Sequence, residues 1–190
     1  MLFPNAMPAL ENTSKEKAAQ LLVTPTALAS LSLSDARVVV SFMQPQRIRQ
    51  GTVFIREGEA VHTDFMVLVI DGEVLVQNEL ANGNDGSVMS VIGAGSMIGE
   101  MGLLDGQARS ASCTATTELT VAILPRDALL GLIKTTPAVA ARLMLAISKR
   151  LSDRLREANR KVKILDGLSR ALQQELDAAH KSSGIGRPRS

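Results

Sequence analysis

The chain has 190 residues, 45% of them hydrophobic and 21% charged, with a formal net charge of +2, which is enough for one domain with a real core plus extensions. Near-neutrality argues against partners held by bulk charge, such as nucleic acid or an anionic membrane surface. One cysteine excludes a disulfide framework, and four Phe with neither Trp nor Tyr exclude the base-stacking platforms of single-strand binders.

The stretch from Met1 to Pro8 lacks the basic start and apolar run of a signal peptide. No segment approaches the length of a membrane span, so a cytoplasmic protein with no membrane partner is expected. Residues 1–31 read as an extension with one short helix. Thr13 to Glu16 has the form of a capping box opening a helix through Leu22, which Thr24 and Pro25 end. Ser32 to Asp35 predicts a second helix start, running to about Met43 ahead of Gln44 and Pro45.

From Arg47 to Leu124 the pattern changes to short β-branched runs punctuated by glycine. Strands are predicted over 53–55, 65–70, 73–77, 87–92 and 119–124. Asp71-Gly72 is a tight hairpin signal, and Asn82 to Gly86 a longer turn. Cys113 falls in a further apparent strand, as a small buried hydrophobe. Strands at this spacing indicate a sandwich or β-roll, so residues 32–136 are expected to form an antiparallel domain.

One connection within that series carries chemistry. Gly99 permits close backbone approach, and a short helix starting there turns unpaired N–H groups toward an anion. Arg109 supplies a forked cation that matches two phosphate oxygens, and Ser110 a hydroxyl donor. Glu100 is wrong for a bare phosphate, since like charges repel, but right for the hydroxyls of a ribose carried by the same ligand. Two plainer readings compete: Arg109 as a surface arginine paired with Asp105, and Glu100 as a carboxylate at a helix N-terminus. A phosphorylated sugar satisfies all three groups together, so a cyclic nucleotide is the expected ligand. Arg109→Ala is accordingly expected to remove most affinity and to leave stability nearly unchanged.

After Pro125 the chain turns helical, with a short helix over 127–134 and a long one opening at Pro137. From Leu151 an apolar seam repeats in steps of four and three through Leu155, Ala158, Val162, Leu165, Ser169, Leu172, Leu176 and Ala179. That is a coiled-coil register, and it predicts a parallel homodimer through residues 151–179. The alternative is that the seam folds back onto the strands. Residues 137–180 thus form a dimerisation helix and 181–190 a flexible basic tail. His62 and His180 stand isolated, without metal-ligand spacing, and no nucleophile–base pair stands out. Neither catalysis nor a metal is expected.

Gly99, Glu100, Arg109, Ser110 and Ala111, with supporting glycines at Gly51, Gly58 and Gly72, resemble the phosphate-binding cassette of the cyclic-nucleotide-binding domain family. Its members include the sensors of catabolite-activator-like regulators, kinases and channels. The resemblance covers about residues 32–160. It implies an α+β fold, an antiparallel jelly-roll-like β-roll with N-terminal helices and a long C-terminal coiled-coil helix. It also implies cAMP or cGMP as ligand, with no further cofactor, held by Gly99, Glu100, Met101, Arg109, Ser110 and Ala111. In relatives the long helix closes over the base, which places Asp153 and Arg154 as base-facing candidates. Relatives among the transcription factors usually offer small hydroxyl residues there, so the choice of purine stays open. No helix-turn-helix pattern follows the long helix. A stand-alone sensor acting through that helix on an unidentified effector protein is therefore expected. The alternatives are a nucleic-acid-associated regulator without its own reading domain, using the Gly186 to Arg189 tail, and a structural dimer that has lost its ligand.

Overall fold

The computed structural model describes residues 12–61, 63–78 and 87–182. The expectations for His62, for the 82–86 turn and for the tail beyond Ser182 lie outside those residues. The chain divides into two compact units, between Ser148 and Lys149.

The first unit opens with α1 (Asn12–Leu22) and α2 (Leu33–Ser41). The predicted capping box at Thr13 is not what Glu16 serves: α1 begins one residue earlier, and the Glu16 carboxylate accepts Nε and Nη2 of Arg37 at 2.9 and 2.7 Å. A cation on the neighbouring helix outcompetes a neutral backbone N–H. Ser32 does cap α2, accepting the Asp35 N–H at 3.1 Å. Helix α2 stops at Ser41, two residues short of the expectation, because Gln44 and Pro45 already belong to a strand.

Among the described residues eight strands follow: β1 (Gln44–Ile48), β2 (Val53–Ile55), β3 (Phe65–Asp71), β4 (Val74–Asn78), β5 (Ser87–Ile92), β6 (Met97–Ile98), β7 (Ser112–Ala115) and β8 (Leu119–Pro125). They form two antiparallel four-stranded sheets, ordered β1-β8-β3-β6 and β2-β7-β4-β5. The five spans predicted as strands are strands, and Cys113 lies in a further one, β7, as expected. The sheets share one apolar core, in which Phe65, Val67 and Val69 from β3 meet Phe54, Ile55, Val74, Cys113, Val121 and Ile123. Met66, Leu68 and Ile70 are buried as well. Successive strand residues point to opposite faces, so β3 is covered on both sides, and α1 packs against it. An all-apolar run over 65–70 requires that arrangement. Burial pushes the Cys113 thiol up to about 12, making it an inert core residue.

Helix α3 (Glu100–Asp105) interrupts the strand series, and α4 (Arg126–Thr135) and α5 (Pro137–Ser182) follow it. Within the first unit α5 buries Ala140, Leu143, Ala146 and Ile147. Arg142 ties it to α2, its Nε and Nη2 each donating to the Asp35 carboxylate at 2.7 Å. The second unit is the remainder of α5. Its side chains from Leu155 to Ala179 are exposed, including Val162, Leu165, Leu172 and Leu176 of the predicted seam. Among the described residues, no helix is long and apolar enough to cross a membrane.

Candidate ligand-binding site

Strand β6 pairs with β3 through Val67–Ile98 and Leu68–Met97, and the chain then turns at Gly99 into α3. Gly99 adopts φ +80, a left-handed conformation that disfavours any side chain. Its carbonyl accepts the Leu103 N–H at 3.2 Å, closing the first turn of the helix. Glu100, the first helical residue, is 1% exposed. A buried carboxylate is held only where donors meet it, so its position is built for hydrogen bonding and not for solvent.

Arg109 lies on the loop between α3 and β7, and its backbone is pinned on both sides. Its N–H donates to the Glu59 carbonyl at 2.9 Å, and its carbonyl accepts the Gly58 N–H at 2.8 Å. The side chain then runs inward. Nη1 donates to the Gly99 carbonyl and Nη2 to the Phe65 carbonyl, each at 3.2 Å, while the guanidinium carbon lies 4.2 Å from the Phe65 ring centroid. That is cation–π geometry for a buried cation. Burial lowers the Arg109 pKa, and the carboxylates of Glu59, Asp64 and Glu100 oppose the shift, so the cation persists.

The glycines around it are consequences of this guanidinium. A Cβ on Gly99 would lie 2.6 Å from Arg109 Nη1, and one on Gly102 2.9 Å from the same atom and 2.5 Å from the Thr63 carbonyl oxygen. Gly99 and Gly102 therefore leave the volume that the arginine occupies.

The expectations for Arg109 change in two ways. It is neither a surface arginine nor a partner of Asp105, whose Oδ1 accepts the Gln107 N–H at 3.0 Å. It is buried and hydrogen-bonded, an environment in which Arg109→Ala is expected to lower stability, where the sequence alone suggested little change. Its loss would take one donor from each of the Gly99 and Phe65 carbonyls and remove a side chain packed on the Phe65 ring.

Residues 45–136 match the family described as the cyclic nucleotide-binding domain. The chain carries a cyclic nucleotide-binding domain. Its relatives include the CRP-like cAMP-activated global transcriptional regulator of Mycobacterium tuberculosis, 27% identical over 68% of this chain and 53% of that one. The cyclic AMP receptor protein of Thermus thermophilus is 29% identical over 65% and 56%. The chain thus spans about half the length of the curated relatives it matches. Among solved structures, a cyclic nucleotide-binding domain from Methylobacillus flagellatus superposes with a TM-score of 0.66 at 29% identity, covering 76% of this chain and 80% of that one. The regulatory domain of Toxoplasma gondii PKA, crystallised with cAMP, gives 0.56 at 28%, over 64% and 45%.

The domain brings Gly99, Glu100, Met101, Arg109, Ser110 and Ala111 together in one cassette. Met101 and Ser110 are exposed, Ala111 is half-buried, and Glu100 and Arg109 lie beneath. Asp153 and Arg154 belong to the second unit, where Asp153 Oδ1 accepts Nη1 of Arg156 at 2.8 Å. Sequence reasoning missed Phe65, Thr63, Gly102 and Arg126. Thr63 is buried and its hydroxyl donates to the Gly106 carbonyl at 3.2 Å. Arg126, at the start of α4, donates from Nη1 to the Leu103 and Leu104 carbonyls at 3.2 and 3.4 Å, joining α4 to the end of α3. Only Gly102 had a signal, its spacing of three from Gly99. No cluster of three metal-binding side chains occurs among the described residues.

Proposed function

We propose that this protein is a non-enzymatic cytoplasmic sensor of cAMP that signals through its C-terminal helix. The observation that carries the reading is the pairing of a buried carboxylate, Glu100, with a buried guanidinium, Arg109, across the turn at Gly99. A ribose hydroxyl donates to the former and a cyclic phosphate accepts from the latter. Arg109 carries five N–H donors, and its bonds in this structure go to neutral carbonyls at 3.2 Å. A phosphate offers shorter, charge-assisted bonds in exchange. Ser110 adds a hydroxyl at the exposed rim. The M. tuberculosis relative is named as cAMP-activated and the T. gondii domain was crystallised with cAMP, which supports cAMP over cGMP.

The output element is the seam on α5. Val162 at an a position with Leu165 and Leu172 at d suits a two-stranded parallel coil, and Lys161 at g is matched by Asp166 at the following e position. We assign residues 151–179 to a homodimer that conveys the bound state to an effector protein.

Calorimetric titration of nucleotide-free protein with cAMP and with cGMP tests the sensor. Saturable heat with cAMP is expected, at least tenfold weaker with cGMP. Arg109→Lys keeps the charge but loses the fork, and is expected to weaken cAMP at least tenfold with the protein still folded by circular dichroism. Absence of heat from folded wild-type protein overturns the reading.

A further inference from the structure

Arg109 is restrained by three contacts, and Phe65 supplies two of them. Nη1 and Nη2 donate to the carbonyls of Gly99 and Phe65, and the guanidinium carbon stands over the Phe65 ring, 4.2 Å from its centroid. Hydrogen bonds from a planar guanidinium act in its own plane, and an aromatic face lies against it from outside that pairing. Two of its five N–H donors are used in this way, which leaves three for a ligand.

The residue beneath it is rigidly placed. Phe65 opens β3, stands opposite Pro125 of β8 and is buried in the core between the sheets. The Arg126 N–H, one position beyond Pro125, donates to the Asp64 carbonyl at 2.8 Å and pins the start of the strand. On its other side β3 pairs with β6 through Val67–Ile98, and β6 leads directly into Gly99. One strand therefore carries the ring and one carbonyl, and its neighbour brings the second carbonyl.

The chemistry of position 65 separates it from ordinary core. Val67 and Val69 of the same strand meet that core as aliphatic side chains. A leucine at 65 would keep the position apolar, but it would set a buried cation against a surface that compensates none of its lost hydration. An aromatic face compensates part of it. Arginine is also among the side chains that lose most rotamer freedom on ordering, and a ligand that has to order it binds less tightly.

We propose that Phe65 is a positioning residue for ligand binding: its ring holds the Arg109 guanidinium in place, so that an arriving phosphate meets an arginine already ordered. The inference rests on the cyclic-nucleotide reading above and adds to it a residue that lies outside the cassette in sequence.

Nitrogen-15 relaxation of the Arg109 side chain in nucleotide-free protein, followed by calorimetric titration with cAMP, gives the test. In wild type the Arg109 Nε–H order parameter is expected near the rigid value of about 0.85, and in Phe65→Leu below about 0.6. cAMP is expected to bind Phe65→Leu at least fivefold more weakly than wild type. Phe65→Met, closer to phenylalanine in volume, takes its place should Phe65→Leu not fold. Val67→Ala controls for lost packing, since Val67 is wholly buried in the same core. It should melt below wild type with both readouts unchanged. A mobile Nε–H in wild type overturns the proposal, as does one that stays ordered in Phe65→Leu. Wild-type affinity in Phe65→Leu also overturns it, and so does a Val67→Ala protein weakened as much as Phe65→Leu. No heat from folded wild type with an ordered Nε–H overturns the cyclic-nucleotide reading instead, and with it any role of the ring toward that ligand.

Discussion

A single side chain organises the cassette. Arg109 reaches inward from a loop, and everything within reach has been shaped around it: two glycines without Cβ atoms, two carbonyls turned toward it and one aromatic face beneath. Gly99 is where that dependence is sharpest, because it combines a left-handed backbone with the close approach of Nη1. Gly99→Ala should cost about 1–2 kcal/mol of stability for the conformation alone. The added methyl must also push the guanidinium off the Gly99 and Phe65 carbonyls. We expect cAMP affinity to fall at least tenfold, measured calorimetrically, alongside the drop in thermal midpoint. Gly51→Ala is the control. It has φ +80 as well, but nothing lies within 4 Å of its Cβ, so it should lose comparable stability without losing affinity.

At the level of elements, the join between the N-terminal helices and α5 depends on one carboxylate. Asp35 accepts the hydroxyl of Ser32, the cap of its helix, and the Nε and Nη2 of Arg142. The Arg142 bonds, reinforced by Ser32, hold its pKa below the usual carboxylate value against the opposing effect of burial. A depressed carboxylate contributes stability that is fully present above its unfolded pKa and is lost as pH falls through its folded pKa. Asp35→Asn should therefore melt below wild type at pH 7, and the gap should close between about pH 4 and the acid limit of folding. A gap of constant size across that range would mean that the charge on Asp35 is irrelevant to the join.

Legibility from sequence also divides by element. Strands with apolar alternation or apolar runs, such as 65–70 and 119–124, announce themselves. Three did not announce themselves as strands in full. Strand β1 contains Pro45 and polar neighbours, tolerable because it is the edge of its sheet beyond β8. Strand β6 has two residues and exists only by pairing with β3. Strand β7 is built of Ser, Cys, Thr and Ala, and only its cysteine suggested burial. In the cassette, the Gly-Glu and Arg-Ser-Ala spacing was readable because those residues are close in sequence. The Phe65 ring and carbonyl were not, since they come to Arg109 from 44 residues away through the β3–β6 pairing. Arg126 was hidden for the same reason: its role exists only once α3 ends beside the start of α4.

For the molecule as a whole, the proposal makes nucleotide binding and dimerisation two ligand equilibria on one chain. A nucleotide shifts a helix equilibrium only by its difference in affinity for the two states. A hundredfold bias requires about 2.7 kcal/mol, within reach of the few charge-assisted bonds that Arg109 and Glu100 offer. Coupling is reciprocal, and each dimer holds two nucleotides: saturating cAMP must change the dimer dissociation constant by the square of the factor by which dimerisation changes the affinity of each site. Leu165→Glu, in the seam, supplies the monomer with every cassette residue unchanged. Titrating both proteins with cAMP should give affinities that differ at least tenfold. Sedimentation of wild type with and without cAMP should show the dimer constant moving by the square of that factor. Equal affinities in the two proteins would leave the cassette a binding site but remove the helix from the signalling path, because a ligand blind to the dimer has no means of driving it.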